Sequence, residues 1–427
     1  MTESAQAAAP DDSSPARAPE VPPAERVAAP APSRGDGGVA PSSGSITDVT
    51  GVRVGQVTRA GDGWLTGVTV VLPPAGTVAG VDVRGGGPGT HETDALDPRT
   101  LVPTADAVVL TGGSAFGLVT AHGVQRWLAE HDRGYRVGTS PGEVVPIVPA
   151  AAVFDLGRGG RFDARPDEAM GYEAAAAAAV AAEHDPVDRG TVGAGTGAAI
   201  AMQTRKGGVG TASVRLPAPW DQVVVGALAV VNAAGAPAGS PRSWPTPASA
   251  APPPASAAPT PASAAPPPAS AAPPTASAAP PPASAAPPTT SPRAADPARS
   301  GSGADSVAPR LRGHQAPPAP LNTTIAVVAT NAALDPAETS RTATAAHAGL
   351  ARALDPVHTL VDGDTVFSLA TGELALPASR PERVVALVQL QAAAAHALEL
   401  AVADGIASAT AVRTPVVDLP VWDGPTR

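Results

Sequence analysis

Between residues 236 and 320 the chain cannot build a core. From about Ala248 to Pro288 it is a near-repeat of Ala-Ser-Ala-Ala-Pro-Pro-Pro and its variants. Proline removes amide donors and the small residues bury little surface, so the segment reads as extended polyproline-like coil. Residues 1–44, rich in Ala, Pro, Ser, Asp and Glu without a long apolar block, read as a disordered extension. A fold must therefore be assembled from the remaining roughly 300 residues, enough for one large domain. The expected organisation is one globular unit, 45–427, interrupted by the insertion at 236–320.

The far end of the insertion is the chemically informative point. It runs through Pro320-Leu321-Asn322-Thr323-Thr324-Ile325-Ala326-Val327-Val328-Ala329, so coil gives way to an apolar run of strand length. A hydroxyl at such a boundary can attack the peptide bond before it. Cleavage between Asn322 and Thr323 would expose a threonine whose own amine stands beside its hydroxyl, the amine-assisted form of nucleophilic catalysis. The plainer reading is a threonine that opens a strand.

Composition removes several classes of function. There is no cysteine, so neither disulfides nor thiolate metal sites are available. The eight histidines have no ligand spacing, and no metal or other cofactor is expected. A formal charge of −10 and 3% aromatic residues argue against nucleic acid as a partner. No basic n-region precedes an apolar h-region, and no uninterrupted apolar run reaches 18 residues, so the expectation is a cytoplasmic protein without a membrane partner. Of the 28 basic residues only Lys206 is lysine. Arginine cannot act as a compact or deprotonatable ammonium, so the surviving lysine is a candidate for a role arginine cannot fill.

Short β-type runs are expected at Val52–Val57, Val68–Leu72, Val78–Val83, Ala107–Leu110, Val223–Val231, Thr324–Ala329 and Thr365–Leu369. Helical patterns cover Ala115–Ala129, Pro166–Glu183, Pro336–Leu354 and Arg380–Ala403, the last behind Ser379 and Glu382 in capping-box spacing. Strands and helices mix without a strict βαβ rhythm, which predicts a layered α/β or α+β fold with sheet buried between helices.

Thr111-Gly112-Gly113-Ser114-Ala115-Phe116-Gly117 lacks the second glycine of a nucleophile elbow, and Ser114 reads as a helix N-cap. Gly193-Ala194-Gly195-Thr196-Gly197-Ala198 loosely fits a dinucleotide fingerprint but lacks the strand–turn–helix setting and the distal acid; it reads as a loop packed tightly on another backbone. It leads to Arg205-Lys206-Gly207-Gly208-Val209-Gly210, where small residues let another segment approach the lysine. Asn232 ends the longest apolar run, where its amide either bonds a turn or donates to a developing oxyanion. Asp362 and Asp364, two apart on an extended chain, point to one side and call for a nearby cation. A surface pair or a metal-binding D-x-D are the alternatives.

Taken in order, Thr90-His91-Glu92-Thr93-Asp94, the Thr111–Gly117 and Gly193–Gly197 motifs, Lys206-Gly207-Gly208-Val209-Gly210 and Asn322-Thr323-Thr324-Ile325 resemble the self-cleaving aminopeptidase/D-amino-acid esterase family, the DmpA-like peptidases. That family includes β-aminopeptidases and the nylon (6-aminohexanoate) oligomer hydrolase, whose Asn-Thr junction this chain shares. The resemblance covers about 45–235 and 321–415. It implies an αββα sandwich similar to the N-terminal-nucleophile hydrolases. It also implies a precursor cut into chains 1–322 and 323–427 that stay together and assemble into homo-oligomers. Carried over by position, Thr323 is the nucleophile, Asn232 the oxyanion donor and Lys206 a residue that orients Thr323. Asp362 and Asp364 would hold the new amine and Lys206. The implied substrates are small peptides, amides or esters. The long insertion, the acidic extension and His122 depart from the family pattern. An acyl transferase like the ornithine acetyltransferases, or a Pro-rich scaffold, are the rival readings.

Overall fold

The computed structural model describes residues 44–240 and 321–424, all within one compact unit. The readings of 1–43 and 241–320 as coil fall outside these residues. Residues 236–240, assigned above to the insertion, belong to the fold, since Ala236–Pro237 pair with Leu354–Asp355.

The principal strands are β1 (Arg53–Gly61), β2 (Trp64–Leu72), β3 (Val78–Val83), β4 (Thr90–His91), β5 (Val108–Thr111), β6 (Ala150–Ala152), β7 (Gly208–Arg215), β8 (Val224–Asn232), β9 (Thr323–Ala333) and β10 (Thr365–Ala375). The principal helices are α1 (Thr120–Glu130), α2 (Glu168–Val180), α3 (Pro336–Ala353) and α4 (Arg380–Ala407). One sheet has the order β1-β2-β5-β6-β4 and the other β7-β8-β9-β10-β3. Within the second sheet β9 is central, antiparallel to β8 and parallel to β10.

Alternation along the buried strands produces four layers. Leu228 and Val230 of β8, Ile325 and Val327 of β9, and Phe367 and Leu369 of β10 face Val108 and Leu110 of the first sheet. The intervening residues, among them Ala227, Ala229, Val231, Ala326 and Val328, pack instead on Leu350 of α3 and on Leu390, Leu398 and Ala401 of α4. On the outer side of the first sheet, Val68, Val70 and Val109 meet Val124 and Leu128 of α1 and Ala174 and Ala178 of α2. The result is the expected αββα sandwich. Helix α4 is long and apolar enough to cross a membrane by length and composition, yet its apolar stripe is spent on β7, β8 and α3.

Three local differences from the sequence reading have physical causes. Strand β7 was not anticipated because glycines weaken β propensity. They are needed there: a Cβ on Gly210 would stand 2.1 Å from the Ala401 carbonyl oxygen of α4. The helix expected over Ala115–Ala129 breaks into a single turn, Ser114–Gly117, and α1. Ser114 itself adopts φ +53° and makes no capping bond, so it is not an N-cap. At α4 the Ser379 hydroxyl donates to the Glu382 carboxylate at 2.7 Å instead of capping the backbone. Asp335 and Glu338, by contrast, form a complete capping box at α3.

Candidate active site

Thr323 opens β9 on the face turned toward the other sheet, in line with Ile325 and Val327. Asn232 closes β8 directly opposite it in the antiparallel register. Directly paired residues share a face with Cβ atoms about 4.5–5.5 Å apart, so the two side chains meet at the mouth of the inter-sheet layer. Both are buried.

Asn322 is held from the other side. Its N–H donates to the Val361 carbonyl at 3.0 Å, and its own carbonyl accepts from the Gly363 N–H at 3.0 Å. The Thr323 hydroxyl donates to that same Asn322 carbonyl oxygen. The hydroxyl thus lies against the carbonyl that precedes it, and a backbone donor already polarises the oxygen. A Cβ on Gly363 would sit 2.8 Å from Thr323 Oγ1, so only glycine fits beside the hydroxyl.

The acidic pair sits one strand over, but its carboxylates serve separate neighbours. Asp362 Oδ2 accepts from Thr359 N–H (2.8 Å) and Thr359 Oγ1 (2.6 Å), and its Oδ1 from Ala234 N–H (3.3 Å). Asp364 Oδ1 accepts from the Thr324 N–H at 2.7 Å, immediately behind the nucleophile candidate. Its Oδ2 faces the N–H and Nδ1 of His358 at 3.0 and 2.8 Å. Burial, and after it the neighbouring Asp364, push Asp362 above the usual carboxylate range. The Arg84–Gly87 loop clamps this segment: Arg84 N–H donates to Asp364 O at 2.9 Å and Gly87 N–H to Asp362 O at 2.8 Å.

Lys206 is fully buried, and its ammonium is caged by three carbonyls: Gly195 (2.8 Å), Ala198 (2.9 Å) and Gly207 (2.7 Å). Three acceptors match the three N–H groups of an ammonium. Burial, and then the positive Arg158, hold it well below its ordinary range, with Asp155 opposing. The expectation that Asp362 and Asp364 grip Lys206 is not what the chain contains; two carbonyls of the Gly193–Ala199 loop and that of Gly207 do so instead. That loop, which superficially suggested a nucleotide site, turns its carbonyls inward as a cradle for cations. Among the described residues no group of three or more His, Asp or Glu is placed to hold a metal.

Two residues here escaped the sequence reading. Arg158 reaches in from a Gly-rich turn and donates through Nη1 to Gly197 O and, at 2.7 Å, to Asn232 Oδ1. Asp155 accepts from Gly113 N–H at 2.7 Å. Arg158, an arginine between Gly157 and the Gly159-Gly160 pair, carried the one available signal: a charged residue where close packing is otherwise prepared.

Two stacked sheets between helix layers, with a strand-initial threonine facing the gap, define a protein of the N-terminal-nucleophile hydrolase architecture. The chain belongs to peptidase family S58, whose model matches residues 44–417. It is 44% identical over 391 residues to an uncharacterized aminopeptidase of Mycobacterium tuberculosis, covering 88% of this chain and 96% of that one. A 6-aminohexanoate-oligomer endohydrolase of Paenarthrobacter ureafaciens is 41% identical over 56 residues, 13% of this chain and 16% of the relative. The fold is similar, at TM-score 0.55 and 20% identity, to the L-aminopeptidase D-Ala-esterase/amidase of Ochrobactrum anthropi, described as a variant of the Ntn-hydrolase fold; the match covers 90% of this chain and 92% of that one.

Proposed function

We propose that this chain is a self-processing threonine aminopeptidase or amidase that works through an acyl-enzyme on Thr323. The observation that carries the reading is the meeting of the Thr323 hydroxyl and the Gly363 N–H at the Asn322 carbonyl. In the first stage Thr323 Oγ attacks that carbonyl carbon. The hydroxyl proton passes to the Thr323 nitrogen as the C–N bond breaks, leaving Asn322 as an ester on Thr323. Water opens the ester and yields an Asn322 carboxylate and a free Thr323 amine. Both new chains remain in one fold, because β9 is bonded on both edges, to β8 and to β10.

In the second stage the Thr323 amine, of ordinary pKa near 7.7–8.0, takes the hydroxyl proton. The oxygen attacks the carbonyl of a peptide, amide or ester that bears a free amino terminus. Asn232 Nδ2 donates to the oxyanion. The leaving amine or alcohol takes the proton, and water releases the acyl group. Asp364 fixes the backbone behind Thr323, and one of the two acidic side chains meets a substrate ammonium. Lys206, bonded to the Gly195 and Ala198 carbonyls, braces the loop whose Ala199 N–H holds Asn232. The aminopeptidase relative supports this substrate class.

Denaturing electrophoresis with N-terminal sequencing tests the reading. Wild-type protein should run as two chains, the smaller beginning at Thr323, and Thr323→Ala should stay whole and inactive. Active wild-type protein in one piece, or a cut Thr323→Ala chain, defeats it.

A further inference from the structure

Arg158 has no part in the scheme above, yet it governs the group that the scheme relies on. Asn232 Oδ1 accepts two bonds, from Ala199 N–H at 2.9 Å and from Arg158 Nη1 at 2.7 Å. A backbone N–H and a guanidinium can only donate. A flipped carboxamide would set its NH2 hydrogens against both, so the orientation is fixed chemically. Nδ2 must be the outward atom, and it is buried without a partner. A buried amide donor left unpaired costs about 1–3 kcal/mol, which is sensible where an acceptor arrives only during reaction.

We infer that Arg158 is a positioning residue for turnover: by gripping Asn232 Oδ1 it aims Nδ2 toward the oxygen that turns negative when Thr323 attacks a substrate carbonyl. This rests on the proposed role of Asn232. Register supports the aim, because Asn232 and Thr323 are direct cross-strand partners on one face.

Charge matters as well as direction. Arg158 is 4% exposed, and burial lowers it to about 10 with Asp155 opposing, so it remains a cation at neutral pH. A cation on the amide oxygen withdraws electron density from the carboxamide and makes its N–H groups stronger donors. A neutral donor would hold the amide but polarise it less. The turn that delivers the side chain is itself anchored, since Thr414 Oγ1 donates to the Arg158 carbonyl at 2.7 Å. The guanidinium arrives at a set position.

The test is a double-mutant cycle on full-length protein, using an aminoacyl p-nitroanilide that wild type hydrolyses. Rates are counted per cut molecule, and folding is checked by thermal midpoint. Asn232→Ala should lower kcat by about 100-fold or more, as loss of an oxyanion donor does. Arg158→Gln should lower kcat by about tenfold with KM within about twofold, and should cost nothing further in Asn232→Ala, since coupled groups are non-additive. Arg158→Lys, which keeps charge and one donor, should recover part of the loss. Should Arg158→Gln fail to fold, Arg158→Lys runs the same cycle, with a smaller drop that must also vanish in Asn232→Ala. A wild-type kcat in the Arg158 variant, a loss confined to KM, or an undiminished second drop in Asn232→Ala overturns the inference while Asn232 keeps its role. A wild-type kcat in Asn232→Ala removes the oxyanion role itself, and Arg158 falls with it.

Discussion

Gly363 donates its backbone N–H to the Asn322 carbonyl oxygen at 3.0 Å, from a position where any side chain would press on the Thr323 hydroxyl. In the proposed self-cleavage, this one glycine would supply both the oxyanion donor and the space for the attacking oxygen. Gly363→Ala would set a methyl 2.8 Å from Thr323 Oγ1 and 2.8 Å from the Gly87 carbonyl oxygen. A displacement of about 1 Å at a reacting atom costs roughly 100-fold in rate. The half-time for disappearance of the intact chain on denaturing gels should lengthen by about that factor. Wild-type processing in Gly363→Ala would remove this residue from the mechanism.

Lys206 fills a socket shaped for a tetrahedral ammonium. The planar fork of arginine cannot meet three carbonyls converging on one point, and the carbonyls left unpaired cost about 1–3 kcal/mol each. Lys206→Arg should therefore process and turn over at least about tenfold more slowly, with a lower urea midpoint. Lys206→Met, which offers the carbonyls nothing, should be less stable still. Equal activity and stability in Lys206→Arg would reduce the socket to chance.

His347 makes the fold sensitive to acid. It is buried against the Asp82 carbonyl, with Nε2 at 3.0 Å, and a carbonyl can only accept, so Nε2 carries the hydrogen. Its Nδ1 is buried without a partner, the state of a neutral ring. Burial lowers its pKa to about 4, with the His358 ring and Arg84 acting in the same direction. The unfolded chain, near 6.5, binds the proton first, so stability is complete above that value and falls as pH drops toward 4. The loss amounts to roughly 3 kcal/mol over that window. In the uncut Thr323→Ala background, urea unfolding at pH 7 and pH 4.5 should show this slope, and His347→Gln should flatten it. An unchanged slope in His347→Gln would assign the acid sensitivity elsewhere.

The layered fold was legible because its central strands are continuous apolar runs and two of its helices, α2 behind Asp167 and α3 behind Asp335, carry ordinary start signals. Val224–Asn232, Thr323–Ala333 and Pro336–Ala353 lie within a few residues of where pattern placed them. Strand β7 was hidden by the glycines that let α4 approach. At the site, Thr323, Asn232, Lys206, Asp362 and Asp364 stood out by boundary position, by rarity or by spacing, and the first two do meet across the β8–β9 ladder. Who partners whom was not legible. The carbonyl cage of Lys206 comes from backbone, which sequence patterns do not display. Arg158 at Asn232 depends on how a distant loop closes over the sheet, and His358 at Asp364 on how the segment before β10 folds back on itself.

The parallel pairing of Asn322 with Asp362 has a consequence for the step after the proposed cut. Hydrolysis would turn the Asn322 carbonyl into a fresh anion in the lee of a carboxyl group that already resists ionisation and has Asp364 close behind. A new carboxylate in that dry corner adds like-charge repulsion with Asp364 and makes Asp362 harder still to ionise. The severed end would be driven outward by its own charge, and the vacancy it leaves would be the berth into which the first substrate docks.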